Sequence, residues 1–189
     1  MRTLNANVKA LLSTLCVVVT VAATALVWHH LPTTLDIYGP FEVRGRAGEP
    51  VQGSALRATV TAVRIGPRLD SVPAAGMWVV IDTTLEAVRA TELPRADLIV
   101  GPNTYARSDQ FSLDTLGEEI SPGIAQHGSW LFEVDPPLVE AGSSTPLLLR
   151  VWAGSDYLGS RLVIDIPADD PLITRADDVG LAERTESGR

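Results

Sequence analysis

Residues Trp78–Glu86, WVVIDTTLE, decide how the rest of the chain is read. Val79, Ile81, Thr83 and Leu85 fall on one side of an extended chain, with Asp82 and Glu86 on the other. That is the period of two of a half-buried strand. The alternation recurs in both directions. Upstream, Leu56–Ile65 (LRATVTAVRI) puts Leu56, Ala58, Val60 and Ala62 on one face and Arg57, Thr59 and Thr61 on the other. Downstream, Trp130, Phe132 and Val134 oppose Glu133; Leu147, Leu149 and Val151 oppose Arg150; Leu162, Ile164 and Ile166 oppose Asp165. Weaker runs at Phe41–Val43 and Asp97–Val100 bring the expectation to about seven strands.

Turn residues separate these runs: Gly66-Pro67, Pro73–Gly76, Gly101–Asn103, Asp114–Gly117, Asp135–Pro137 and Ala141–Ser143. Helical spacing is nearly absent, Val88–Arg95 allowing a turn at most. Residues 40–167 therefore read as an all-β, antiparallel sandwich, long enough to hold a core without staples. Residues 168–189 carry six acids, three arginines and few aliphatics, and are expected to be a disordered acidic tail.

The N-terminal text differs in kind. The first 31 residues hold no Pro, Gly or acid, whereas all 13 Pro, 15 Gly and 23 acids lie beyond. Within them, residues 10–28 (ALLSTLCVVVTVAATALVW) carry no charge and as a helix would span roughly 28 Å, close to the thickness of a bilayer. Arg2 and Lys9 precede this run, so residues 1–9 are expected in the cytoplasm, 10–28 as a signal anchor, 29–39 as a stalk and the sandwich outside. Trp28 stands where an interfacial anchor is expected. Cleavage at Ala23-Thr24-Ala25 would make the protein secreted instead. Leu15 before Cys16 argues against a lipoprotein, and the single cysteine excludes an internal disulfide and a Cys-rich zinc site.

Chemistry is sparse. Residues 32–189 hold 13 Arg against 23 acids, a net of −10 that disfavours nucleic acid and anionic lipid. His29-His30 lack further ligands; Asp169-Asp170 and Asp177-Asp178 lack calcium-loop spacing. His127 and Ser129 could form a hydrolytic relay only with a converging carboxylate, and no nucleophile elbow or phosphate loop accompanies them. The expectation is a non-enzyme without catalytic residues, cofactor or metal. Trp78, Val80, Leu148 and Trp152 are apolar on the solvent-facing register, as are Leu131 and Val163 elsewhere. The first four form the expected docking surface for an envelope or membrane protein. The alternative is a carrier or sensor of a small apolar ligand such as a lipid, in a pocket lined by Trp130 and Phe132.

The order TVTAVRIG, MWVVIDTTLEA, FSLDTLGEEISP, WLFEVDPP and LLLRVWAG…RLVIDIP resembles the bacterial extracytoplasmic immunoglobulin-like domains of unknown function. These occur on secreted proteins and lipoproteins, including small secreted mycobacterial immunogenic antigens. The matching segments are Trp78–Leu85, Phe111–Pro122 and Leu131–Pro137, within residues 50–167. This chain departs from the pattern at Glu86-Ala87-Val88, where the family often has an Asn. The resemblance implies an immunoglobulin-like sandwich outside the membrane and no established activity.

Overall fold

The computed structural model describes residues 6–31, 39–155 and 159–188. The chain divides into two units, Met1–Gly39 and Pro40–Arg189. In the first, helix α1 (Ala6–His30) is long and apolar enough at Leu11–His29 to cross a membrane or to serve as a signal sequence. Two of its hydroxyls bond within the helix: Thr20 Oγ1 donates to the Cys16 carbonyl and Thr24 Oγ1 to the Thr20 carbonyl, both at 2.8 Å. Such local bonding lowers the cost of carrying a hydroxyl on an apolar helix. The expected stalk lies mostly outside the described residues.

The second unit is a β-sandwich. Sheet A follows the order β1 (Phe41–Arg46), β9 (Ser160–Ile166), β8 (Leu147–Ala153), β5 (Pro94–Val100), β6 (Asn103–Ala106). Sheet B runs β10 (Ile173–Arg175), β3 (Leu56–Leu69), β4 (Val72–Ala87), β7 (Ile124–Val134), β11 (Thr185–Gly188), with β2 (Val51–Gln52) also on β3. A four-residue helix, α2 (Pro136–Val139), forms at the expected Asp135–Pro137 turn. One core joins the two inner faces, with Val79, Ile81, Phe132 and Trp130 from sheet B against Leu98, Leu149 and Ile164 from sheet A.

The structure corrects several expectations. Pairing is not wholly antiparallel, because β1 runs parallel to β9 and β10 parallel to β3. Ala62 does not continue the face of Leu56, Ala58 and Val60; a bulge between Val60 and Ala62 shifts the register, and Val63 and Ile65 take the core positions. Gly66-Pro67 and Pro73–Gly76 lie inside β3 and β4. The hairpin turn is Asp70-Ser71, with φ of 46° and 69°. Two consecutive left-handed residues give a turn whose twist matches the strands it joins.

The largest correction concerns the expected disordered tail, 168–189: its described residues, 168–188, are not disordered. They supply both edge strands of sheet B and cross its outer face between them. Beside β3, the Ala176 amide donates to the Ile65 carbonyl (3.1 Å), the Val179 amide to the Arg68 carbonyl (2.9 Å), and the Asp70 amide to the Val179 carbonyl (2.9 Å). Past Val179 the chain crosses to β7 and pairs there as β11. We call residues 176–184 the strap.

Candidate functional site

Two outer faces result, and they differ in how they are covered. On sheet B, register places Trp78 beside Glu133, Val80 beside Leu131, Asp82 beside Ser129 and Thr84 beside His127. The apolar end is closed over: Trp78, Val80, Leu131 and Leu69 form a second buried cluster with Val179 of the strap, flanked by Phe111 and Leu181. Trp78 is 1% exposed and its Nε1 donates to the Val72 carbonyl at 3.1 Å. Trp78 and Val80 are therefore core residues, not part of a docking surface. Their outward register holds, but the chain's own last residues cover them.

The middle of this face is polar and holds the strap down. Asp82 pairs with Arg64, the Ser129 hydroxyl donates to Asp82 Oδ1 at 2.7 Å, and the Ala182 amide donates to Ser129 Oγ at 3.0 Å. Asp82 is thus largely covered rather than solvated. His127 bonds Thr84 Oγ1 through Nδ1 (2.8 Å) and Ser187 Oγ through Nε2 (3.4 Å), not Ser129. A relay needs His between the hydroxyl and the carboxylate; here the carboxylate binds the serine directly and the serine hydroxyl anchors the strap.

Sheet A presents the other outer face, with Leu148 and Trp152 half-exposed on it. One row across the strands reads Glu42, Arg161, Trp152, Arg95; the next Arg44, Val163, Arg150, Asp97; the third Arg46, Asp165, Leu148, Ile99. Among the described residues, these three rows hold five arginines but only three acids, Glu42, Asp97 and Asp165. Arg150 and Asp97 make a two-point pair, with Nε to Oδ1 at 2.6 Å, and Arg44 pairs with Glu42 at 2.7 Å. Arg161 lies over the Trp152 ring at 5.2 Å, within cation–π range. The Trp152 Nε1 has no hydrogen-bond partner among the described residues. Val163, expected on the surface, is buried within this face.

Two clefts open on the face. One, of about 690 Å³, is lined by Arg95, Asp97, Thr104, Arg107, Asp109 and Trp152, among others. The other, of about 480 Å³, is lined by Arg44, Arg46, Leu148, Val163 and Asp165, among others. Arg107 is fixed by the backbone: it donates to the Leu116 carbonyl at 2.5 Å and passes over Gly117. A Cβ there would stand 1.7 Å from Arg107 Nη1, and φ is +132°. Asp114–Gly117, expected to be a hairpin turn, is instead part of the loop that holds Arg107. The apolar carrier pocket has no counterpart at its expected residues, since Trp130 and Phe132 are fully buried in the packed core.

No family model and no curated protein matches the sequence. Among solved structures, the chain is similar to an uncharacterized β-sandwich protein from Clostridium difficile. Identity is 14%, the TM-score is 0.40, and the match covers 66% of this chain and 93% of that one. The immunoglobulin-like resemblance thus has no matching family model behind it.

The four expected docking residues therefore divide. Leu148 and Trp152 share one uncovered face; Trp78 and Val80 belong to the other sheet and are buried. The arginines were missed because they come from four strands. Only the pairing of β1, β9, β8 and β5 brings them together, and no contiguous basic run marks them in the sequence.

Proposed function

We propose that the protein is a membrane-anchored binding and assembly module of the bacterial cell envelope. In this reading α1 spans the membrane with the N-terminus cytoplasmic, and the β-sandwich, taken as immunoglobulin-like, stands on the extracytoplasmic side. The outer face of sheet A docks an envelope or membrane protein. No cofactor, metal or catalytic step is assigned to it. Anchoring would raise the effective concentration of the domain for a membrane-bound partner.

The observation that carries this reading is the contrast between the faces. Sheet B hides Trp78, Val80 and Leu131 under the strap, whereas sheet A leaves Trp152 and Leu148 half-exposed among arginines. Aromatic and arginine side chains in concave surfaces are the residue types that dominate protein interfaces. A photo-crosslinking residue at position 148 of the full chain, activated in intact membranes, is expected to yield a discrete protein adduct. The same residue at position 84, on the opposite face, is expected to yield none. Equal adducts from both positions, or none from 148, would sink the assignment.

A further inference from the structure

Resting on that reading, we infer that the outer face of sheet A receives an acidic segment of the partner protein, with its carboxylates entering the two arginine-lined clefts. The face is locally cationic in an acidic chain. Of the three carboxylates in its strand rows, Asp97 and Glu42 are already paired with Arg150 and Arg44. Arg46 and Arg95 are exposed and make no ion pair with a described residue. A guanidinium presents a planar fork that suits a carboxylate, and each of these unpaired forks favours an anion in its own cleft.

The spacing sets the shape of the occupant. Arg46 and Arg95 lie three strands apart and about four residues apart along the strands, so their clefts are separated by about 20 Å on the face. That matches two acidic clusters on one extended polypeptide about six residues apart. A bilayer surface fits less well. A bilayer extends beyond the clefts to the rest of the domain, whose excess of acids would be repelled by anionic headgroups, whereas a peptide segment touches this face alone. Trp152, between Arg161 and Arg95 in its row, supplies apolar contact within the Arg95 cleft.

The test uses the full chain in phosphatidylcholine nanodiscs and a fluorescent peptide carrying two Glu-Glu pairs about 20 Å apart when extended. Binding is read by anisotropy. The expected result is saturable binding that weakens at least about tenfold in the Arg46→Glu/Arg95→Glu variant and falls as salt rises. A peptide with Lys at the Glu positions should not bind. Arg46 and Arg95 are both exposed, and unchanged circular dichroism would show that the variant folds. Absent binding, or equal binding by the variant, overturns the inference. Displacement of the peptide when phosphatidylglycerol replaces part of the disc lipid also overturns it, in favour of headgroup phosphates. If the peptide fails while the position-148 adduct persists, the docking face stands and only the acidic character of its partner falls.

Discussion

The Ser129 hydroxyl donates to Asp82 Oδ1 at 2.7 Å across the β4–β7 pair, and the same oxygen accepts the Ala182 amide of the strap at 3.0 Å. One fully buried hydroxyl therefore links a strand carboxylate to a segment more than 50 residues later in the chain. It also brings the strap across the face at the point where apolar cover gives way to polar ladder.

Replacing Ser129 with Ala leaves the Ala182 donor without its acceptor and Asp82 with one bond fewer. Loss of a buried partner costs about 1–3 kcal/mol. Ser129→Ala is expected to lower the urea midpoint accordingly and to speed amide exchange at Ala182, while His127→Ala changes both much less. Equal effects of the two substitutions would show that Ser129 has no special part in anchoring the strap.

The two tryptophans that share an outward register should separate sharply. Trp78→Ala empties a site that is 1% exposed and should destabilise by about 3–5 kcal/mol. Trp152→Ala should cost clearly less, because its ring is half-exposed. Denaturant melts of the two variants decide the matter, and similar losses would mean that Trp152 is also core.

Period-two alternation made the core face of β4 legible, because Val79, Ile81 and Leu85 each meet the opposite sheet. The same alternation could not say what lies on the other face. Trp78 and Trp152 both read as exposed apolar residues. The difference lies in Val179 and Leu181, two aliphatics in an acid-rich stretch that local composition assigns to disorder. The bulge after Val60 likewise has no compositional mark, being an offset of pairing rather than a change of residue type. The turn at Asp70-Ser71 was overlooked because flanking Gly and Pro gave stronger turn signals. The arginine face was invisible for a related reason: its residues become neighbours only through strand order.

Gly66 gives a sharper test of strap placement. A Cβ there would stand 2.4 Å from the Ala176 carbonyl oxygen and 3.0 Å from Val179 Cγ1. The first obstacle is backbone and cannot rotate away. Gly66→Ala is therefore expected to lift the strap rather than unfold the sandwich, destabilising by about 1–3 kcal/mol as overpacking does. Limited proteolysis should cut near residue 176 faster in the variant, and unchanged cleavage would mean that the strap does not lie over Gly66.

Deleting residues 171–189 removes β10, the strap and β11 together, leaving Trp78, Val80, Leu131 and Leu69 without their cover. An apolar patch of this kind promotes association. The edges of β3 and β7 would also lose the short strands that now occupy them, opening unpaired backbone to other chains. The truncated protein is expected to bind an apolar dye strongly and to self-associate at concentrations where the full chain does not. Adding Trp78→Ser and Leu131→Ser to the truncation should reduce dye binding, because the dye would be reading this patch. Dye binding that is undiminished by those substitutions would place the exposed surface elsewhere and remove the strap's covering role.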